Sequence, residues 1–233
     1  MKRRWLVAAL VFCGLLICGP PPGARTAPAG PPALWYIGFS PRLPPAESLL
    51  FRQAIAYALD RPAIATSAAA HGPAQPATTI QHPDLPGYNA GVRGYAFDPA
   101  KARELFAQAG WTAPITILAG PGPRPWVAAI EEAMVRSLST TLGAVASITQ
   151  VANFDALVRA SRSGSAPMWT YGWYSVASDY AYPSFPLALA NAYFLSDPEI
   201  KVLVERRDAI AVEQVMLDKA LLIPVVHYRY ISN

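Results

Sequence analysis

The sequence predicts an α/β domain with a largely buried sheet. Short apolar runs that suit strands alternate with longer segments in which apolar residues recur every three or four positions, as on one face of a helix. Of the 233 residues, 53% are hydrophobic and only 15% are charged. This composition supplies a substantial core and excludes an intrinsically disordered chain.

The N-terminal 29 residues have the pattern of an export signal. A basic start at residues 2–4 is followed by an uncharged, mostly aliphatic run over residues 5–18 and by the small-residue sequence APA at residues 27–29. We interpret residues 1–29 as a cleaved signal peptide. An uncleaved anchor is the less favoured alternative, because the run is shorter than the roughly 20 residues of a membrane span.

Cys18 offers a second processing route, in which lipid would be attached to this cysteine. Leu15 fits the pattern of a lipoprotein signal, but Ile17 is bulkier than the small residue expected just before the cysteine. The other cysteine, Cys13, also lies within the apolar run. A chain cleaved after residue 29 therefore has no thiol for a disulfide, a nucleophile or a metal site.

The net charge of +4 arises from the proposed signal peptide, residues 1–29. Lys2, Arg3, Arg4 and Arg25 precede the proposed cleavage site and no acidic residue does, so 15 basic and 15 acidic residues remain. A neutral domain gives no reason to expect nucleic acid as a partner. The predicted product is an exported protein of the periplasm or the cell surface.

In the first half of the chain, helix and loop signals mark the elements. Residues 30–46 are rich in Pro and predict a linker that includes a first strand at 35–39. Residues 47–60 place their apolar side chains on one helical face, whereas 68–97 show little periodicity and predict an irregular stretch. A helix over 98–110 begins with an Asp-Pro cap and ends at a glycine.

The second half continues the alternation of strands and helices. Asn or Asp just before a helix, and Pro at its first position, mark the predicted helix starts. The predicted elements are a strand at 115–118, a helix at 125–142, a strand at 145–151, a helix at 153–162, a strand at 168–173, a long helical region from 197, and a strand at 222–230.

No motif in the sequence predicts an enzyme, a cofactor or a metal site. The Gly-rich segment 120–123 lacks the Lys and Ser/Thr of a phosphate-binding loop and predicts a rigid turn. The three histidines lack a metal-binding spacing. Glu131 and Glu132 are expected on a solvated helix face rather than as an acid–base pair, and Arg52 and Asp60 are expected to be structural.

Several short segments occur in an order that is typical of one protein family. Residues 51–61 read FRQAIAYALDR, and residues 95–111 combine YAFDPAKA with LFAQAGW. Shorter matches are LGAV at 142–145, YGW at 171–173, DY at 179–180 and IPV at 223–225. Together these segments resemble the extracellular solute-binding proteins of the peptide/oligopeptide type, family 5, which deliver cargo to ABC importers.

The resemblance implies a single periplasmic-binding-protein-like lobe, with a mixed sheet flanked by helices, over residues 47–233. It also implies non-catalytic capture of a small solute, in the first place a peptide, and delivery to the permease subunits of an ABC transporter, without a cofactor. Family members are longer and begin with a first lobe. Since this sequence resembles the second lobe, a partner that supplies the missing lobe is a further expectation.

The resemblance also suggests ligand-binding residues. In the family a Gly-Trp…Asp element of the second lobe lines the cleft, which assigns ligand contact here to Gly172 and Trp173. Asp179 would pair with the amino group of a bound peptide, and Tyr171 and Tyr180 lie in the same segment. The spacing between Trp173 and Asp179 is longer than usual in the family. The alternative is that Trp173 belongs to the strand core and that Asp179 caps a turn.

Two other interpretations stay open. The chain could be a truncated interaction module or a degenerate lobe that no longer binds ligand alone, or a fragment that arose from a deletion or a misread start. The identity of the solute also stays open, because the family's members accept peptides, sugars and nickel complexes on one scaffold.

Overall fold

The structure is a computed structural model that describes residues 30–122, 124–174 and 184–229. Strands and helices alternate through this part, which confirms the predicted α/β class. The elements are β1 (Pro32–Phe39), α1 (Leu49–Ala58), α2 (Arg61–Ala69), β2 (Ala74–Pro76), α3 (Pro99–Ala109), β3 (Ile115–Ala119), α4 (Pro125–Leu142), β4 (Ala146–Gln150), α5 (Phe154–Ser163), β5 (Met168–Tyr174), α6 (Phe185–Tyr193), α7 (Pro198–Glu205), α8 (Ala209–Asp218) and β6 (Leu222–Arg229).

The strands of the described part form one mixed sheet in the order β2-β6-β1-β5-β3-β4. β1 pairs antiparallel with β5 and β6, whereas β3 pairs parallel with β4 and β5. β1 has a partner strand on each side and a helix-covered core on each face, so its residues are buried almost without interruption, among them Leu34, Tyr36 and Ile37. The strand predicted at 35–39 is therefore a central strand of the sheet.

Helices cover both faces of the sheet. On one face, Phe51 of α1 and Ile130 and Met134 of α4 belong to a core that also includes residues of α2 and α3. On the other face, Leu189 of α6 and Met216 of α8 belong to a second core, together with residues of α5 and α7. Because helices cover both faces, the ends of the strands are the places where a ligand can reach the backbone of the sheet.

The predicted helix caps are present. The Asp98 carboxylate accepts hydrogen bonds from the backbone N–H groups of Ala100 and Lys101 at the start of α3, and Asn153 caps α5. Gly110 ends α3 with a φ of 66°, in the left-handed region that glycine adopts without a steric penalty. Because of these local signals, both helices could be predicted correctly from the sequence.

The segment after α1 differs from the prediction. Its helix ends at Ala58, and Asp60 then caps a second helix, α2, by accepting from the N–H of Ala63. The stretch 68–97, predicted to be irregular, begins within α2 and contains the short strand β2. α2 was missed because its sequence, RPAIATSAA, is rich in alanine and has a weak apolar periodicity.

Two differences concern the C-terminal third. Helix α6 was not predicted, and the long helical region from residue 197 is divided into α7 and α8 by Arg207, whose φ is 57°. None of the helices in the described ranges is long and apolar enough to cross a membrane.

Two buried arginines tie helices to the backbone of other elements. The Arg52 guanidinium donates to the carbonyl oxygens of Ala46 at 2.7 Å and Lys219 at 2.8 Å. Arg61, 2% exposed, donates to the carbonyl of Pro224 in β6 at 2.8 Å. The expected structural role of Arg52 is thereby confirmed.

Candidate functional site

A cavity of about 250 Å³ opens at the carboxyl ends of the parallel strands β3, β4 and β5. Gly120, Pro121 and Gly122 follow β3 directly, Phe154 begins the helix after β4, and Tyr174 ends β5; all of them line the cavity. This edge is the usual position of ligands in α/β domains, because the chain leaves the sheet there in loops. Residues 120–122 of the segment predicted to form a rigid turn are therefore part of a cavity wall.

Three aromatic side chains from other elements complete the wall. Trp35 comes from β1, Trp126 from the first turn of α4 and Tyr228 from β6. The ring centroid of Trp126 lies 5.8 Å from that of Trp35 and 4.8 Å from that of Tyr228. The indole N–H groups of both tryptophans are buried and find no acceptor among the residues that the structure describes. Such a wall offers apolar area and aromatic faces that attract cations.

Among the described residues, Glu131 is the acidic residue that lines the cavity, and the expectation that it lies on a solvated face is wrong. It is 5% exposed, and burial raises the pKa of its carboxyl group from 4.5 to about 7. Its neighbour Glu132 meets the expectation, since its side chain is 71% exposed and lies 3.7 Å from Arg136. The two differ because α4 buries a broad face, so that Glu131 turns inward together with Ile130.

Arg124 adds a positive charge to the same cavity. It precedes the first turn of α4 and lines the cavity together with Glu131. The wall therefore combines aromatic faces, a cationic side chain and a carboxyl group, which suits a small polar solute better than a purely apolar one. Sequence reasoning missed both charged residues, although a helix that begins just after a parallel strand is a recurrent position for ligand contacts.

Gly172 lies in the cavity wall, close to aromatic side chains of the domain itself. A Cβ atom at this position would come within 2.5 Å of the Tyr228 hydroxyl oxygen and 2.8 Å of Cε3 of Trp35. The absence of a side chain thus lets β1 and β6 place their aromatic residues against β5. Tyr174, two residues further on, lies on the same face of the strand and lines the cavity.

Trp173 and Tyr171 have different surroundings. Trp173 is half-buried and packs against the core on the opposite face of the sheet, because successive residues of a strand point to opposite faces. Tyr171 packs against that same core, yet it also lines the cavity, with its ring centroid 4.7 Å from that of Phe154. Only Leu118 and Trp169 pair β3 with β5 in the described part, so Tyr171 lies beyond the paired region.

Three of the predicted site residues lie outside the described ranges: Asp179, Tyr180 and the lipidation candidate Cys18. Their assignments therefore stay predictions. Gly172 and Tyr171 are brought together at the cavity, whereas the structure places Trp173 on the other side of the strand.

The described histidines do not form a metal site. His82 and His227, far apart in sequence, stack with ring centroids 4.8 Å apart. Nε2 of His227 lies 2.7 Å from the carbonyl oxygen of Thr79, and burial lowers the pKa of His227 from 6.5 to about 3. Within residues 30–122, 124–174 and 184–229, no three His, Cys, Asp or Glu residues are grouped so that they could hold a metal ion.

A cavity at the carboxyl edge of a mixed sheet, with aromatic and charged walls and no metal cluster in the described part, is typical of a domain that binds small solutes. Residues 23–193 match the family model described as bacterial extracellular solute-binding proteins, family 5 Middle. The chain belongs to this family, which confirms the resemblance found in the sequence.

Individual relatives show the same similarity over shorter stretches. The chain is 32% identical over 98 residues to heme-binding protein A of Haemophilus influenzae, covering 38% of this chain and 18% of that protein. It is 40% identical over 88 residues to an ABC transporter peptide-binding protein of Brucella ovis, covering 36% of this chain and 16% of that protein. The matched part is thus less than a fifth of either relative.

The fold is also that of a solved peptide-binding protein. The crystal structure of the dipeptide-binding protein from Pseudoalteromonas sp. SM9913 in complex with Met-Leu superimposes with a TM-score of 0.70 at 19% identity, and the match covers 85% of this chain and 43% of that one. This likeness confirms the fold predicted for the chain, a periplasmic-binding-protein-like lobe with helices around a mixed sheet.

Proposed function

We propose that the chain captures a small solute, in the first place a short peptide, and hands it unchanged to an ABC-type importer. The observation that carries this proposal is the cavity at the carboxyl ends of β3, β4 and β5, in a chain of the family 5 solute-binding proteins. Its aromatic side chains suit the side chains of a peptide, and Arg124 and Glu131 offer opposite charges for its polar groups.

Export belongs to the proposal. Residues 1–29 would direct the chain out of the cytoplasm, and the domain that follows would act in the periplasm or at the cell surface. A lipid on Cys18 would be the alternative attachment. The proposed partners are the permease subunits of the importer, which receive the solute.

The proposal includes a second surface that completes the cavity. A volume of about 250 Å³ is below the roughly 300–1,000 Å³ of sites that enclose a small ligand. The aligned region also makes up only 43% of the dipeptide-binding protein. The remaining wall would come from a further part of a longer chain or from a separate partner, and solute binding by this lobe alone would be weak.

Within this role, Gly172 and Tyr171 would form the wall beside the solute, and Asp179, which follows β5 in sequence, would be the carboxylate for a peptide amino group. Trp173 and Tyr180 are proposed contacts that rest on the resemblance alone. An Asp179→Asn variant that binds peptide as tightly as the wild type would contradict the role of this carboxylate.

The direct test is a titration of the purified chain with Met-Leu, monitored by tryptophan fluorescence, since Trp35 and Trp126 line the cavity. We expect a saturable change in emission at micromolar to millimolar peptide. N-acetylated, amidated Met-Leu, which lacks both terminal charges, is the control for non-specific quenching. The absence of any saturable response to Met-Leu at millimolar concentration would contradict the proposal.

A further inference from the structure

We propose that Glu131 makes the cavity selective for solutes with a protonated amine, which its carboxylate would bind beside the aromatic side chains of Trp35 and Trp126. The inference rests on the proposed function, because it names the class of solute that the same cavity takes. It adds a specificity-determining residue from a helix that the motifs of the sequence did not point to.

The first observation is that Glu131 forms no ion pair with any other residue that the structure describes. It lines the cavity and is 5% exposed. Among the described residues, no arginine, lysine or histidine forms an ion pair with it; burial by itself is the cause of its raised pKa. A carboxylate in such a position lacks the compensation that buried charges normally have.

The second observation is the chemistry of the surrounding wall. Trp35, Trp126 and Tyr228 are each less than a tenth exposed and line the same cavity. Aromatic faces attract organic cations, and a carboxylate forms a charge-assisted hydrogen bond with an ammonium group. A hard metal ion fits less well, because it requires several oxygen ligands around it, and the described part has no group of three such residues.

Among the residues that the structure describes, the other charged or titratable ones that line the cavity are Arg124, Tyr171, Tyr174 and Tyr228. Neither an arginine nor a tyrosine side chain ordinarily changes its charge between about pH 6 and pH 8. The ionisation of Glu131 is therefore the change in this range that would alter the affinity of the cavity for an amine. With half-ionisation near pH 7, the charged fraction of Glu131 rises about tenfold from pH 6 to pH 8.

The experiment compares the dipeptides Lys-Leu and Met-Leu by calorimetric titration of the wild-type chain, Glu131→Gln and the matched control Glu132→Gln. Both peptides have an amino terminus, so their difference isolates the side-chain amine. For Lys-Leu at pH 8, we expect the affinity of Glu131→Gln to be about tenfold or more below that of the wild type. The wild type and Glu132→Gln should gain about tenfold in affinity from pH 6 to pH 8, whereas Glu131→Gln should not.

The same titrations distinguish whether Glu131 binds the side-chain amine or the amino terminus of the peptide. If Glu131 binds a side-chain amine, the substitution weakens the binding of Lys-Leu and leaves the binding of Met-Leu almost unchanged. If it binds the amino terminus, both dipeptides weaken equally, and binding declines again above pH 8 because an α-amino group loses its proton near that pH. Either pattern supports the inference.

Two results would overturn it in distinguishable ways. If Glu131→Gln binds both dipeptides with the affinity and the pH profile of the wild type, the inference is wrong and solute capture by the cavity stands. If neither dipeptide binds to the wild type or to the variants, the proposed function fails, and the inference that rests on it fails too.

Discussion

Replacing Glu131 by glutamine should stabilise the chain at alkaline pH, because the native carboxyl group is held in a cavity that disfavours its charge. In the native state the pKa of Glu131 is about 7, compared with 4.5 for the exposed group. The native state therefore binds more protons than the unfolded state between these two values. Its stability falls as the pH rises through this interval and then stays reduced above pH 7.

The size of the effect follows from the two pKa values. A difference between 4.5 and about 7 corresponds to a loss of about 3 kcal/mol in the free energy of unfolding once the carboxyl group is ionised. Glutamine does not ionise and avoids this loss. We expect the stability of Glu131→Gln, relative to the wild type, to be about 2–3 kcal/mol more favourable at pH 8.5 than at pH 5.

The assay is urea denaturation followed by tryptophan fluorescence at pH 5 and pH 8.5. Glu132→Gln is the matched control, since the side chain of Glu132 is 71% exposed and its substitution should change stability by less than about 0.5 kcal/mol at either pH. A stability difference between wild type and Glu131→Gln that is the same at both pH values would refute the reasoning. It would mean that the carboxyl group reaches water or a cation whenever it is charged.

Three further predictions concern other positions. Gly172→Ala should lower the free energy of unfolding by about 1–3 kcal/mol, because the new Cβ would lie 2.5 Å from the Tyr228 hydroxyl; an unchanged urea midpoint would contradict this packing. Below pH 6, the free energy of unfolding should fall by up to about 1.4 kcal/mol per pH unit, because His227 resists protonation in the native state down to about pH 3. His227→Gln should flatten the pH dependence of the melting temperature. Arg52→Met should lower the free energy of unfolding by about 3 kcal/mol, because Arg52 donates hydrogen bonds to three backbone carbonyls. Equal urea midpoints for the variant and the wild type would argue against this role.

The order of the elements could be predicted from the sequence because its local signals are strong. Asp98 and Asn153 cap their helices, and Gly110 ends one, by interactions within a few residues. Such signals require no knowledge of the tertiary fold. Helix α2 has no comparable apolar periodicity, and its cap, Asp60, was predicted to end the preceding helix, so α2 was missed.

The candidate site was only partly predictable, because it depends on contacts between distant segments. Trp35 and Tyr228 reach Gly172 only through the pairing of β1 with β5 and β6, which the sequence does not encode locally. The opposite orientation of Trp173 and Gly172, in contrast, follows from strand alternation and could have been inferred.

The burial of Glu131 also left a signal in the sequence. It lies four residues after Val127 and three before Met134, so it continues an apolar row of α4. Its acidic neighbour Glu132 suggested a solvated face for both. A carboxyl group at a position of an apolar row indicates a buried acidic residue. Such residues are rare without a partner, so this position could have been recognised as unusual from the sequence.

The most direct test of solute capture is an NMR titration of the ¹⁵N-labelled chain with Met-Leu, followed through the glycine amides. Gly120, Gly122 and Gly172 line the cavity, whereas Gly110 and Gly143 cap helices away from it. We expect saturable shifts of the first three resonances and none for the other two. Absent shifts, or shifts confined to Gly110 and Gly143, would contradict the claim that this cavity binds the solute.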